Sequence, residues 1–199
     1  MVLETACRHG AKWIEDGVPH AKIAVNLSAK QLIRQDMLVQ IKRILKRTGF
    51  PPEQLIIELT ESLVLDTLAK TSETLTGLRN MGIEIAIDDF GTGYSTFKLL
   101  KTLPVDILKI DQMFIANLLD NKVDVAITQA IIDVAHALDM RVVAEGVENV
   151  EHANLLQELG CDTIQGFYLS EALPRTEITK LLCLGIPGIT KQRTNADIE

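Results

Sequence analysis

The chain is poor in cysteine. Cys7, Cys161 and Cys183 form no C-x-x-C pair and have no histidine nearby at ligand spacing, which excludes a disulfide framework and a thiolate zinc site. They read as reduced, mostly buried thiols of a cytoplasmic protein. Aromatic residues make up only 4% of the chain, so its core must be built from Leu, Ile, Val and Ala. That composition suits an α/β protein with buried strands. No apolar run approaches the roughly 18–20 residues a membrane span requires. The longest, Leu181 to Ile186, stops at Pro187-Gly188, and Met1-Val2-Leu3 runs straight into charge, so neither a span nor a signal peptide is expected. Positive charge is in deficit: 20 Lys and Arg against 27 Asp and Glu leave a net −7, which speaks against coating DNA, RNA or an anionic membrane. The four histidines, His9, His20, His136 and His152, are scattered and read as structural or solvated.

What is present is a balanced globular composition, 47% hydrophobic and 24% charged, in a length that fits one large domain. Residues 2–16 have the periodicity of an amphipathic helix ended by Gly17-Val18-Pro19. Short β-branched runs then alternate with helical stretches. The runs are Ile23–Val25, Leu55–Ile57, Ile83–Ile87, Ile107–Ile110, Val142–Ala144 and Asp162–Ile164; the helical stretches include 28–48, 66–81, 123–139 and 149–159. Such alternation predicts parallel strands with helical crossovers.

Each run ends in a polar group: Asn26, Glu58, Asp88 with Asp89, Lys109 with Asp111, Glu145 and Gln165. Successive spacings of 32, 30, 21, 36 and 20 residues fit a (β/α)8 barrel, whose units average about 31 residues and whose active site sits at the C-terminal strand ends. An open doubly wound sheet would gather such groups from only a few strands near its switch point.

The adjacent acids Asp88 and Asp89 are the sharpest feature. Two carboxylates side by side at a strand end repel one another and need positive charge, which a pair of divalent cations bridged by Asp88 would supply. Plainer roles exist for each residue. The Asp pair could be a turn capping the next helix, Asn26 a helix cap, Lys109 a snorkelling rim lysine. Glu61 and Glu148 could be first-turn helix acids, and Gly91 and Gly93 turn residues.

Six blocks occur in order: Val25-Asn26-Leu27-Ser28; Glu58-Leu59-Thr60-Glu61; Asp88-Asp89-Phe90-Gly91-Thr92-Gly93-Tyr94-Ser95; Leu103-Pro104-Val105-Asp106 leading into Leu108-Lys109-Ile110-Asp111; Ala144-Glu145-Gly146-Val147-Glu148; and Gly160-Cys161-Asp162 leading to Gln165-Gly166-Phe167, with Pro174 downstream. Together they resemble the EAL-domain family of cyclic di-GMP phosphodiesterases over residues 1–190, with 191–199 a frayed tail. The resemblance implies a TIM-type barrel that hydrolyses cyclic di-GMP to linear pGpG with two Mg²⁺ or Mn²⁺ ions. Asn26, Glu58 and Asp88 would hold one ion; Asp88, Asp89 and Glu145 would hold the other. An oxygen-only ligand set selects these ions over zinc. Lys109, Glu145 and Asp111 would be catalytic, with Asp111 positioning Lys109. Glu61, Glu148, Gln165, Gly91 and Thr92 would order the site or touch substrate.

The family also implies a homodimer through residues 91–98, and a fused or partner sensory or cyclase domain. Departures are Gln112 where arginine is common and Phe167 where tyrosine is common. The Glu-x-Leu motif that names the family has no counterpart in the right place. The expectation is therefore about six of eight strands, two open edges, one absent metal-ligand glutamate, and weak or no turnover by these residues alone. The alternative is a module that binds cyclic di-GMP or a protein partner without catalysis.

Overall fold

The computed structural model describes residues 2–18, 22–91 and 100–184. Helix α1 (Val2–Glu15) leads into β1 (Ile23–Asn26), α2 (Ala29–Leu32) and α3 (Met37–Thr48). A 3-10 turn at Pro52–Gln54 precedes β2 (Leu55–Thr60), α4 (Glu61–Arg79), β3 (Glu84–Phe90) and β4 (Ile107–Ile110). Then come α5 (Gln112–Ile115), α6 (Lys122–Ala137), β5 (Arg141–Ala144), α7 (Val150–Glu158), β6 (Thr163–Ile164) and α8 (Arg175–Leu184).

The six strands form one parallel sheet in sequence order, β1 to β6, so each crossover returns the chain to the adjacent position. This is an incomplete TIM-like barrel, with β1 and β6 as its outermost strands. Its two faces differ, as strand alternation requires. Val25, Ile57, Leu59, Ile85, Ile87, Leu108, Ile110 and Val142 are buried on the outer face in one core with Ile41, Leu75, Leu78, Ile131 and Leu156 from the helices. Each such side chain taken out of water stabilises the fold by roughly 1.5–3 kcal/mol.

The inner face carries Ala24, Ile56, Ala86, Ile107 and Val143 around a cavity of about 340 Å³, bounded toward the C-terminal strand ends by Glu58 and Lys109. At the opposite end, Glu84 receives Lys22 at 2.7 Å and Arg141 at 2.8 Å. Lys22 immediately precedes β1, while Glu84 and Arg141 open β3 and β5, so alternate strands contribute to one layer, as in the layered interior of this fold.

Three sequence expectations are corrected. The stretch 28–48 is not one helix: α2 ends at Leu32, Arg34 pairs with Asp36 at 3.0 Å, and Asp36 starts α3 anew. The helix expected at 66–81 begins already at Glu61, because Thr60 is extended and the chain turns helical directly after β2. Cys7 is buried, but Cys161 is half-buried and Cys183 exposed, so burial holds fully for only one of the three. The tail expected at 191–199 lies outside the described residues.

Candidate metal centre

The site is organised by a bulge. Along β3 and β4, Ile87 pairs with Leu108 and Phe90 with Ile110, so Asp88 and Asp89 together face the single residue Lys109. In a regular strand these neighbours would point to opposite faces; the extra residue turns the strand so that both can serve one side. Asp89 takes the left-handed conformation, φ 56°, that makes this turn possible. As a result one carboxylate oxygen from each of Asp88, Asp89 and Glu145 lies within 4.8 Å of the others. The donors are oxygen throughout, which suits a hard divalent cation.

Lys109 stands at the centre. Its Nζ donates to Glu58 Oε1 at 2.9 Å, Asp88 Oδ1 at 2.8 Å and Glu145 Oε1 at 2.7 Å. It is 4% exposed, so it does not snorkel to solvent. Burial alone would lower its pKa, but the hydrogen bonds to Asp88, Glu145 and Glu58 outweigh that and hold it well above the ordinary lysine range. Glu145, by contrast, is raised above the usual carboxylate value, first by burial and further by the charges of Asp88 and Glu58, despite its bond to Lys109. Both shifts belong to one arrangement, in which two buried acids and the half-buried Glu145 share a single cation. Asp89 is likewise raised, by burial and then by the charges of Asp88 and Asp111.

Asn26, at the end of β1, donates from Nδ2 to Glu58 Oε2 at 2.9 Å, so its amide carbonyl is the end left to serve as a ligand. It is not the helix cap: Ser28 occupies that position for α2, its backbone N–H donating to Gln31 Oε1 at 3.0 Å. Glu61, only 2% exposed, accepts the Gly91 backbone N–H at 2.8 Å, tying the start of α4 to the turn that follows the acidic pair. Glu148 is exposed and precedes α7, whose cap is Asn149, so it is not a first-turn helix acid.

Asp111 behaves differently from expectation. It caps α5 by accepting the Met113 N–H at 2.7 Å, and the positioning of Lys109 falls to Glu58, Asp88 and Glu145 instead. The reason is geometric: β4 ends at Ile110, so strand alternation no longer governs where Asp111 points. Gln165 is exposed just past β6, its backbone N–H bonded to Ala144 O at 2.8 Å. Asp89, Asp111, Glu145, Glu148, Gln165 and Phe167 line a cavity of about 270 Å³ beside the acidic cluster. Thr92 and residues 92–98 of the expected dimer contact lie outside the described residues.

Sequence reasoning missed two supports. Gly166 brings its backbone against Val147, where an added Cβ would collide with the Val147 carbonyl oxygen and amide nitrogen. Gly146 has φ 71° and packs against Gln112, whose Cβ would meet a new methyl at 2.6 Å. Their place directly after Glu145 and Gln165 was the available signal, since a glycine following a strand-end functional residue marks a close backbone approach. The ring of Phe167, 69% exposed beside the cavity, was noted in the sequence only as a departure.

Comparison with known proteins agrees with this geometry. The chain is 40% identical over 177 residues to the bifunctional diguanylate cyclase/cyclic di-GMP phosphodiesterase MucR of Pseudomonas aeruginosa, covering 89% of this chain and 26% of MucR. It spans about a quarter of the length of the curated relatives it matches. A structure of the MucR phosphodiesterase in complex with cyclic di-GMP superposes with a TM-score of 0.85 at 40% identity, covering 89% of this chain and 72% of that one. The EAL domain of Mycobacterium smegmatis DcpA superposes at 0.88 with 42% identity, covering 93% and 83%. A manganese and cyclic di-GMP complex of Klebsiella pneumoniae BlrP1 superposes at 0.75 with 29% identity, covering 85% and 44%. The EAL domain model itself matches residues 1–172. This chain belongs to the EAL domain family.

Proposed function

We propose that the chain is the phosphodiesterase module of a cyclic di-GMP hydrolase, opening one phosphodiester bond to give linear pGpG. The observation that carries this reading is the β3 bulge, which gathers Asp88, Asp89 and Glu145 at the C-terminal strand ends of an EAL-family barrel. Asn26, Glu58 and Asp88 would hold one Mg²⁺ or Mn²⁺, and Asp88, Asp89 and Glu145 a second. When bound, such a pair supplies Lewis-acid charge to the phosphate and to the attacking water.

The chain's own residues do the rest. Lys109 holds a fixed ammonium beside the reacting phosphate, where negative charge develops. Glu145 keeps Lys109 oriented and offers a carboxylate toward the attacking water. Glu61 fixes the Gly91 turn, and with it the conformation of Asp89. Gln165, Glu148 and Phe167 form the wall against which the dinucleotide would lie, and Asp111 fixes the start of α5 at its floor. The protein would work in the cytoplasm, as a homodimer, joined to or partnered with a sensory or cyclase domain. Among the described residues no helix is long and apolar enough to cross a membrane.

The open side between β1 and β6 favours a second reading, in which these residues bind cyclic di-GMP or a protein partner without turnover. With that side open, the wall and carboxylate which the family motif would contribute are not part of the sheet. Hydrolysis by the 199 residues alone is therefore expected to be slow or absent. Chromatographic assay for pGpG with Mg²⁺, Mn²⁺ or chelator tests the first reading, and robust metal-dependent turnover would show that the open side does not matter. Calorimetry with cyclic di-GMP in Ca²⁺ separates binding without turnover from no binding at all.

A further inference from the structure

The ammonium of Lys109 has three N–H donors, and each meets a carboxylate from a different strand: Glu58 on β2, Asp88 on β3 and Glu145 after β5. The lysine is buried, so these are not loose surface pairs. Glu58, Asp88 and Glu145 are also residues that would hold the divalent ions of the proposed function, and Asp88 and Glu145 belong to the acidic cluster. Without some cation among them, two buried acids and one half-buried one would be left repelling each other, an arrangement folded proteins do not tolerate cheaply.

We propose that Lys109 is the resident cation of the metal-free protein, so that loading a divalent ion is an exchange in which the ammonium surrenders carboxylate oxygens. This rests on the metal reading above and adds to it. The lysine knits β2, β3 and β5 together at the rim before any ion arrives, and so keeps the ligands assembled. It also weakens ion binding, since each oxygen given to the ion is first taken from the ammonium. Removing it should therefore cost stability without metal and strengthen the response to metal, opposite signs that a simple packing role would not give.

The test is thermal unfolding of the full chain and its Lys109→Met and Lys109→Arg variants, in chelator and in saturating Mg²⁺, with Mg²⁺ calorimetry alongside. In chelator, Lys109→Met should melt about 6 °C or more below the parent, as loss of one partner from a buried charge cluster implies. Lys109→Arg should recover much of that loss. Mg²⁺ should raise the Met variant's melting point further than the parent's, and bind it about tenfold more tightly. An equal deficit in chelator and Mg²⁺, or no deficit in chelator, would overturn the proposal.

If Lys109→Met does not fold in chelator, refolding in Mg²⁺ decides the matter: recovery supports the exchange and failure in both conditions refutes it. If Mg²⁺ leaves the parent's melting point unmoved, the metal reading fails and the exchange with it. The chelator comparison still measures separately whether Lys109 holds the acids together.

Discussion

Replacing Asp89 by glycine should make the metal-free protein more stable and blind to metal. Asp89 holds φ 56°, a conformation that costs an ordinary side chain about 1–2 kcal/mol, with aspartate at the lower end. Glycine adopts it freely but loses more chain entropy on folding, about 0.5–1 kcal/mol. Burial and the charges of Asp88 and Asp111 also push the Asp89 carboxyl up, so its ionised form is unwelcome at neutral pH, and glycine removes that penalty as well. The two backbone terms leave a net gain of up to about 0.5 kcal/mol, or up to roughly 2 °C for a chain this long. Asp89→Asn keeps the backbone strain and loses only the charge, so its gain should be smaller. Both variants should lose most of the Mg²⁺-induced rise in melting point, because each removes a carboxylate from the cluster. Scanning calorimetry in chelator and in Mg²⁺ reads both effects. An Asp89→Gly protein that melts below the parent, or that responds to Mg²⁺ as the parent does, would refute the link between the strained bulge and ion binding.

Glu145→Gln should abolish metal-dependent stabilisation and any pGpG formation while the fold persists; an unchanged Mg²⁺ isotherm would count against its place in the cluster. Gly166→Ala would drive a methyl into the Val147 carbonyl and is expected to cost about 2–3 kcal/mol, visible in denaturant unfolding; a cost within error would mean the backbone can give way there. Glu84 provides the pH dependence. Burial would raise its carboxyl, but the hydrogen bonds from Lys22 and Arg141 outweigh that and hold it below its ordinary 4.5. Its stabilising contribution is therefore present above about pH 4.5 and lost as pH falls through the lowered value. Glu84→Gln should cost about 1 kcal/mol at pH 7, since both pairs are partly exposed, and nearly nothing in strong acid; a pH-independent deficit would contradict the ion-pair explanation.

The barrel was legible because its signal repeats. Six β-branched runs, each ended by a polar residue at crossover spacing, leave few alternatives, and the observed sheet follows their order. The polar strand ends found their place by the same logic, since parallel strands deliver their C-termini to one rim. What the sequence hid was local. The break between α2 and α3 falls between the Ile33 cap of the first helix and the Asp36 cap of the second, which a hydrophobic period cannot register. Asp111 looked like a partner for Lys109 because alternation was carried one residue past the end of β4. The bulge at Asp88–Asp89 could not be read either. Two adjacent acids announce a counter-charge, but only the register against Lys109 reveals how both come to face one side.

The two ionic groups on the inner face of the sheet, Lys22–Glu84–Arg141 at one end and Glu58–Asp88–Lys109–Glu145 at the other, have opposite balance. The first has a positive charge in excess; the second, two negative ones. Four residues of strand, about 13 Å, separate Glu84 from Asp88. That is close to the screening length of dilute salt, and the wall between them is largely hydrocarbon. The inner face thus carries a standing electric field along the barrel axis, set by side chains alone. A small cation would be drawn to the rim and repelled from the floor, and a phosphate would be favoured at the rim only once cations had gathered. Under the proposed function, that gradient would set an order of binding, ion first and nucleotide second.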